Sequence, residues 1–203
     1  SAWILGDPMA ERLPVCEALE VAQPGPLRAA IRARLRWGET TATATWTLDA
    51  GCDRLHLRIE ARWLMAGGPQ AGIPRLALRL PTALADAVLT HEIPHGALTR
   101  REEPGRPMPT GRWARADGAA GGLVVANDGI GAVSIDRGLI ALDLLRASYD
   151  PDPLPEIGDH AWEFTVRPGA PRDDRDSRRD ALLLAHPLRA LLDRAHPGDL
   201  PAE

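Results

Sequence analysis

Lysine is missing from this 203-residue chain, and all 24 of its basic residues are arginine. That excludes Schiff-base chemistry on a lysine amine and a lysine phosphate anchor; no fold requires it, and GC-rich codon usage is the expected cause. Cysteine is scarce: Cys16 and Cys52 have no metal-type spacing such as C-x-x-C, and two free core thiols are expected rather than a disulfide. There is no apolar run of about 18 residues and no signal-peptide pattern, so no membrane partner is expected and the cytoplasm is the expected compartment. No G-x-S-x-G, phosphate loop or dinucleotide fingerprint is present. A net charge of −4 and a pI near 5.9 argue against an electrostatic grip on nucleic acid or anionic membrane.

What is present is period-2 alternation. After the turn signal Pro24-Gly25-Pro26, Leu27, Ala29, Ile31, Ala33, Leu35 and Trp37 alternate with Arg28, Ala30, Arg32, Arg34 and Arg36. Thr41, Thr43, Thr45 and Thr47 then alternate with Ala42, Ala44, Trp46 and Leu48, and residues 53–63 repeat the pattern. Three long strands joined by short glycine turns predict a meander with one buried and one polar face. Weaker strand signals follow at Arg75–Leu80, Val88–Ile93, Gly111–Ala114, Gly122–Ala126 and Ala132–Ile135. Asn127-Asp128-Gly129 reads as a hairpin turn. Residues 102–110 carry three prolines and read as a loop. About ten to thirteen strands with few helices predict an all-β antiparallel sandwich, a single domain over residues 1–203. Within it, residues 170–203 read as a charged linker followed by an apolar tail segment; the tail is either a short helix ending before Pro187 or an extended segment.

The stretch from Gly138 to Val166 stands out. It begins as a strand, breaks at Arg146 into a loop with the only tyrosine, Tyr149, and the prolines Pro151, Pro153 and Pro155, and resumes as a strand after Gly158. Such a stiff loop suits a binding surface or a domain contact.

Other motifs have plainer readings. His91-Glu92-Ile93-Pro94-His95 fits the letters H-E-x-x-H, but zinc-protease chemistry needs a helix, which Pro94 and Gly96 oppose. Asp150, Asp152, Glu156 and Asp159 cluster in one proline-bound loop and read as a solvated acidic surface rather than a glycosidase carboxylate pair. The arginine stripe over Arg28–Arg36 and Arg54–Arg62 reads as an outward face with acidic neighbours. Trp37, Trp46, Trp63 and Trp162 read as core, with Trp113 less determined.

The order of these pieces resembles the C-terminal β-rich domain of family 38 glycoside hydrolases, the α-mannosidases. The resemblance rests on Gly25-Pro26-Leu27-Arg28-Ala29, Arg62-Trp63, Gly111-Arg112-Trp113 and Gly121 through Gly129. Most specific are Leu144-Leu145-Arg146-Ala147-Ser148-Tyr149 with Pro151-Asp152-Pro153, then Ile157-Gly158-Asp159-His160 and Phe164; Leu184-Ala185-His186-Pro187-Leu188 follows. Near Gly67–Arg79 the family usually carries a His and a Lys, where this chain has Pro69-Gln70-Ala71-Gly72-Ile73-Pro74-Arg75. The resemblance implies a large antiparallel super-sandwich like that of galactose mutarotase. It further implies an N-terminal catalytic domain of the same polypeptide that holds the zinc and the catalytic aspartates, so that no cofactor and no catalytic residue is expected in this chain. A start at Ser1 without methionine accords with that expectation. Arg146, Tyr149 and Asp150 are then the expected contacts to a mannose-containing carbohydrate. Two rivals remain: an autonomous carbohydrate-binding module, and a stand-alone sugar mutarotase using His56, His91 and His95.

Overall fold

The alternating segments build the largest sheet. In the computed structural model, which describes residues 9–100, 106–150, 156–169 and 173–189, Arg28–Trp37 (β2), Thr40–Asp49 (β3) and Leu55–Trp63 (β4) form the expected meander. The other strands are β1 (Val15–Pro24), β5 (Arg75–Pro81), β6 (Val88–Ile93), β7 (Gly96–Arg100), β8 (Met108–Pro109), β9 (Trp113–Gly118), β10 (Gly121–Asn127), β11 (Ala132–Asp136), β12 (Leu139–Arg146) and β13 (Gly158–Gly169). One helix, α1 (Asp174–Ala185), completes the described elements. A nine-stranded sheet runs β1-β2-β3-β4-β13-β10-β9-β6-β7, and a four-stranded sheet runs β5-β12-β11-β8. Every pairing between these strands is antiparallel, which is the two-sheet, all-β architecture expected.

The core lies where the two sheets overlap. Leu57, Ile59 and Trp63 from β4 and Trp162, Phe164 and Val166 from β13 meet Val133, Ile135, Ile140 and Leu142 from the small sheet. Each such side chain contributes roughly 1.5–3 kcal/mol of gross burial free energy. The large sheet outruns its partner: on β1, Leu19 and Val21 are each 70% exposed. Its other face is charged and cross-paired, with Arg28 Nε to Asp49 Oδ1 at 2.5 Å and Arg58 Nη1 to Glu163 Oε1 at 2.5 Å. Such exposed pairs add little stability, but they fix which face is wet. Trp63 and Trp162 are buried as expected; Trp37 and Trp46 pack on the core partly exposed.

The structure corrects several sequence expectations. Asn127-Asp128-Gly129 does not close a hairpin, because β10 pairs with β9 and β13 while β11 pairs with β8 and β12. The chain here crosses from one sheet to the other. Buried Asn127 holds the crossing: its Oδ1 accepts from Gly129 N and Ile130 N, both at 2.9 Å, and its Nδ2 donates to Gly111 O at 3.2 Å. Part of the proline-rich segment over residues 102–110 forms a short strand, Met108–Pro109; residues 101–105 are outside the described set. β1 is a strand that sequence reading left unassigned, since register shifts at Cys16/Ala18 and Val21/Gln23 break its alternation. Both thiols are free but not core: Cys16 is exposed and Cys52 half-buried.

Of the two alternatives for the tail, the helix ending before Pro187 is the one formed; it extends back through the charged stretch expected as a linker, as α1 over Asp174–Ala185, seated on the outer face of the large sheet. Asp173 caps it, its Oδ1 accepting from Asp176 N at 2.8 Å. Ala181 joins Trp113 and Ala126 in a small second cluster, which settles Trp113 as buried. Asp180, 2% exposed, meets Arg167 Nη2 at 2.8 Å, and Arg115 reaches Asp117 and Asp174 at 2.5 and 2.9 Å. Asp173, Asp174, Arg175, Arg178 and Arg179 remain exposed, as expected for a charged stretch, while Asp180 is buried against Arg167 and Asp174 reaches Arg115.

Replacing Asn127 by alanine removes three hydrogen bonds and strands buried amide groups. The expected loss is about 2–3 kcal/mol, read from the urea unfolding midpoint.

Candidate functional site

The corner at the end of β12 brings the sequence-predicted residues to one place. β12 carries a bulge between Asp143 and Leu145 where it pairs with β5. Asp143 and Arg146, three residues apart, would point to opposite faces of a regular strand. The extra residue puts Leu142, Leu145 and Ala147 in the core and both charged residues on the outer face of the small sheet. Arg146 is half-buried at the strand's end, Ala147 and Ser148 are buried, Tyr149 is half-buried and Asp150 is exposed.

The backbone of this corner is braced by the loop that follows β4. Ala147 N donates to Pro74 O at 2.9 Å, and Ser148 N folds back to Arg146 O at 3.1 Å. Gly68 and Gly72 exchange two backbone hydrogen bonds of 2.9 and 2.8 Å, closing the loop on itself. Gly67 lies directly against the corner: a Cβ there would sit 2.5 Å from Ala147 O and 3.1 Å from Tyr149 Cδ1. The loop from Gly67 to Pro74 therefore backs both Ala147 and Tyr149.

Sequence reading missed two partners. Arg75, at the start of β5, lies 3.6 Å from Asp143 through Nε and Oδ1. Burial pushes the Asp143 carboxyl above its usual range, against the pull of Arg75 and Arg146. The odd spacing of Asp143 and Arg146 conceals their common face; only the bulge reveals it. The arrangement offers guanidinium donors and an aromatic edge, groups able to hydrogen-bond and stack with hydroxyl-rich ligands. Asp150, Glu156 and Asp159 are exposed, as read for a solvated acidic loop, while Asp152, Pro151, Pro153 and Pro155 lie outside the described residues.

The remaining motifs do not assemble into a second centre. The H-E-x-x-H letters fall on β6 and its turn, with His95 at φ 68° and Glu92 Oε2 accepting from Arg112 N at 2.6 Å. The histidines proposed for a mutarotase are dispersed. His91 packs inside, 2% exposed, while His56 lies on the opposite face of the large sheet, its Nε2 3.5 Å from Glu163 Oε2. A groove of about 260 Å³ beside α1 includes His56, Glu163, Arg54 and Asp180. Among the described residues no group of His, Cys, Asp and Glu could hold a metal ion. No helix among them is long and apolar enough to cross a membrane.

Two predictions follow from this geometry. Gly67→Ala drives a methyl into a backbone carbonyl and the tyrosine ring; we expect about 1–3 kcal/mol of destabilisation and a change in Tyr149 fluorescence anisotropy. Burial first, and the Arg100 charge second, hold the His91 imidazole below its ordinary value of about 6.5. The unfolded chain therefore binds a proton first on acidification. The associated stability is full above about pH 6.5 and is lost as pH falls through the folded value, with a slope of at most about 1.4 kcal/mol per pH unit. His91→Leu should flatten that part of the stability–pH curve in urea titrations between pH 5 and 7.5.

Comparison with protein families matches residues 2–154 to the glycosyl hydrolases family 38 C-terminal domain. No curated protein sequence matches. Among solved structures, an alpha-mannosidase from Enterococcus faecalis V583 is similar at TM-score 0.75 and 14% identity, over 92% of this chain and 26% of that chain. A protein in glycosyl hydrolase family 38 from Enterococcus faecalis is similar at TM-score 0.75 and 15% identity, with the same coverage of 92% and 26%. At such identities the likeness is one of fold, and the chain spans about a quarter of those two chains. The family match includes the β12 corner, Gly67 and Arg75, and on it the chain belongs to the glycosyl hydrolases family 38 C-terminal domain.

Proposed function

We propose that this chain serves as the C-terminal domain of an α-mannosidase-type glycoside hydrolase, packing on a catalytic domain of the same polypeptide and helping to shape its sugar site. The observation that carries this reading is the family match over residues 2–154, which runs through the corner at Arg146–Asp150. The name of one structural neighbour, an alpha-mannosidase, supports the substrate class, a mannose-containing carbohydrate. Arg146 donates hydrogen bonds to sugar hydroxyls, Tyr149 offers its ring, and Asp150, exposed at the tip, accepts from a hydroxyl. In this reading bond cleavage is the work of the catalytic domain, and the zinc of the family's chemistry belongs there too.

The test is turnover of an aryl mannoside by the chain joined to its catalytic domain. Arg146→Ala should lower kcat/KM by about tenfold to a hundredfold, the value of one charge-assisted hydrogen bond. Unchanged turnover removes Arg146 from the site. Calorimetry of the chain alone with mannose and mannobiose should give no heat at millimolar sugar. A saturable signal there would instead make it an autonomous carbohydrate-binding module.

A further inference from the structure

Asp143 has no assigned purpose, yet its placement is unusual. It sits on the outer face of the small sheet, a surface that ordinarily faces water, but is only 8% exposed. Its register neighbours on both sides are alanines, Ala77 on β5 and Ala132 on β11. These small residues leave its carboxylate room to lie along the strand. Arg75 closes one side at 3.6 Å. Arg75 is also the register partner of Arg146, so Asp143, Arg75 and Arg146 share one patch of the face. The bulge between Asp143 and Leu145 creates that patch, since without it Asp143 and Arg146 point to opposite faces.

A carboxylate buried this far is costly, and burial raises its pKa against the pull of Arg75 and Arg146. Its place 3.6 Å from Arg75, on the same face as Arg146 and within reach of that charge, is rational when it fixes guanidinium orientation, because a long arginine has many rotamers to lose.

We infer that Asp143 is a positioning residue: anchored by Arg75, it orients the Arg146 guanidinium that the corner presents to its ligand. The functional half of this inference rests on the proposed role of the corner, but the orientation of Arg146 is measurable without it. Asp143 makes no contact with sugar in this account. It acts through Arg146.

The test uses side-chain arginine NMR on this chain, with the Arg146 Nε–H resonance assigned by its loss in Arg146→Ala. In Asp143→Asn, an isosteric change, that resonance should move toward the free-arginine position and exchange with solvent about threefold faster or more. The Nε–H signals of Arg115 and Arg167, buried under α1, should stay in place and report that the fold is intact. Arg75→Ala should shift Arg146 in the same direction. An unmoved Arg146 resonance in Asp143→Asn overturns the inference. In the chain joined to its catalytic domain, Asp143→Asn should lower kcat/KM in the Arg146 background and change nothing further in Arg146→Ala. If Arg146→Ala itself leaves turnover intact while the resonance shift occurs, the positioning stands and the proposed sugar role falls.

Discussion

The fold depends on the face-to-face packing of the small sheet on the middle of the large one. Trp63, Leu57, Trp162 and Phe164 form the floor, and Ile140, Leu142, Val133 and Ile135 press on it. β4 and β13, distant in sequence, are neighbours because both present apolar side chains to that contact. The position of β12 follows, since Ile140 and Leu142 must stay inside. Once they do, the bulge decides what the end of β12 can offer, and it sends Asp143 and Arg146 outward together. A core constraint thus determines the geometry of the candidate site.

The outer face of the large sheet obeys a different rule. Along β2–β4 it is solvated and laced with exposed ion pairs such as Arg28–Asp49, which contribute little to stability. Under α1 the same face becomes a partly buried polar interface, where Arg167 and Arg54 meet the buried Asp180 and Arg115 meets the exposed Asp174. Removing Asp180 takes from the buried Arg167 its nearest acidic partner, so this pair is the costly one to break under the helix. With no lysine in the chain, every cation in this interface is an arginine, whose planar fork supports several acceptors at once.

Much of the architecture was legible because strands β2, β3 and β4 alternate without interruption, and period 2 with glycine turns leaves few alternatives. What was not legible had specific causes. β1 hides its alternation behind two register shifts, and the Asn127 turn has hairpin chemistry but spans two sheets. The helix over Asp174–Ala185 ends before Pro187, as one of the sequence alternatives has it, but its charged first half gives no sign of docking until its arginine partners on β9 and β13 are known. At the site, Arg146 and Tyr149 were found through family resemblance, whereas Arg75 and Asp143 needed the register, because a bulge cannot be read from spacing alone.

The central claim is that the corner at the end of β12 faces another domain. It is tested most directly by hydrogen–deuterium exchange on this chain alone and joined to its catalytic domain. The account predicts that the amides of residues 146–150 become protected in the joined protein while β2 and β3 are unchanged. Equal exchange at 146–150 in both states would contradict it.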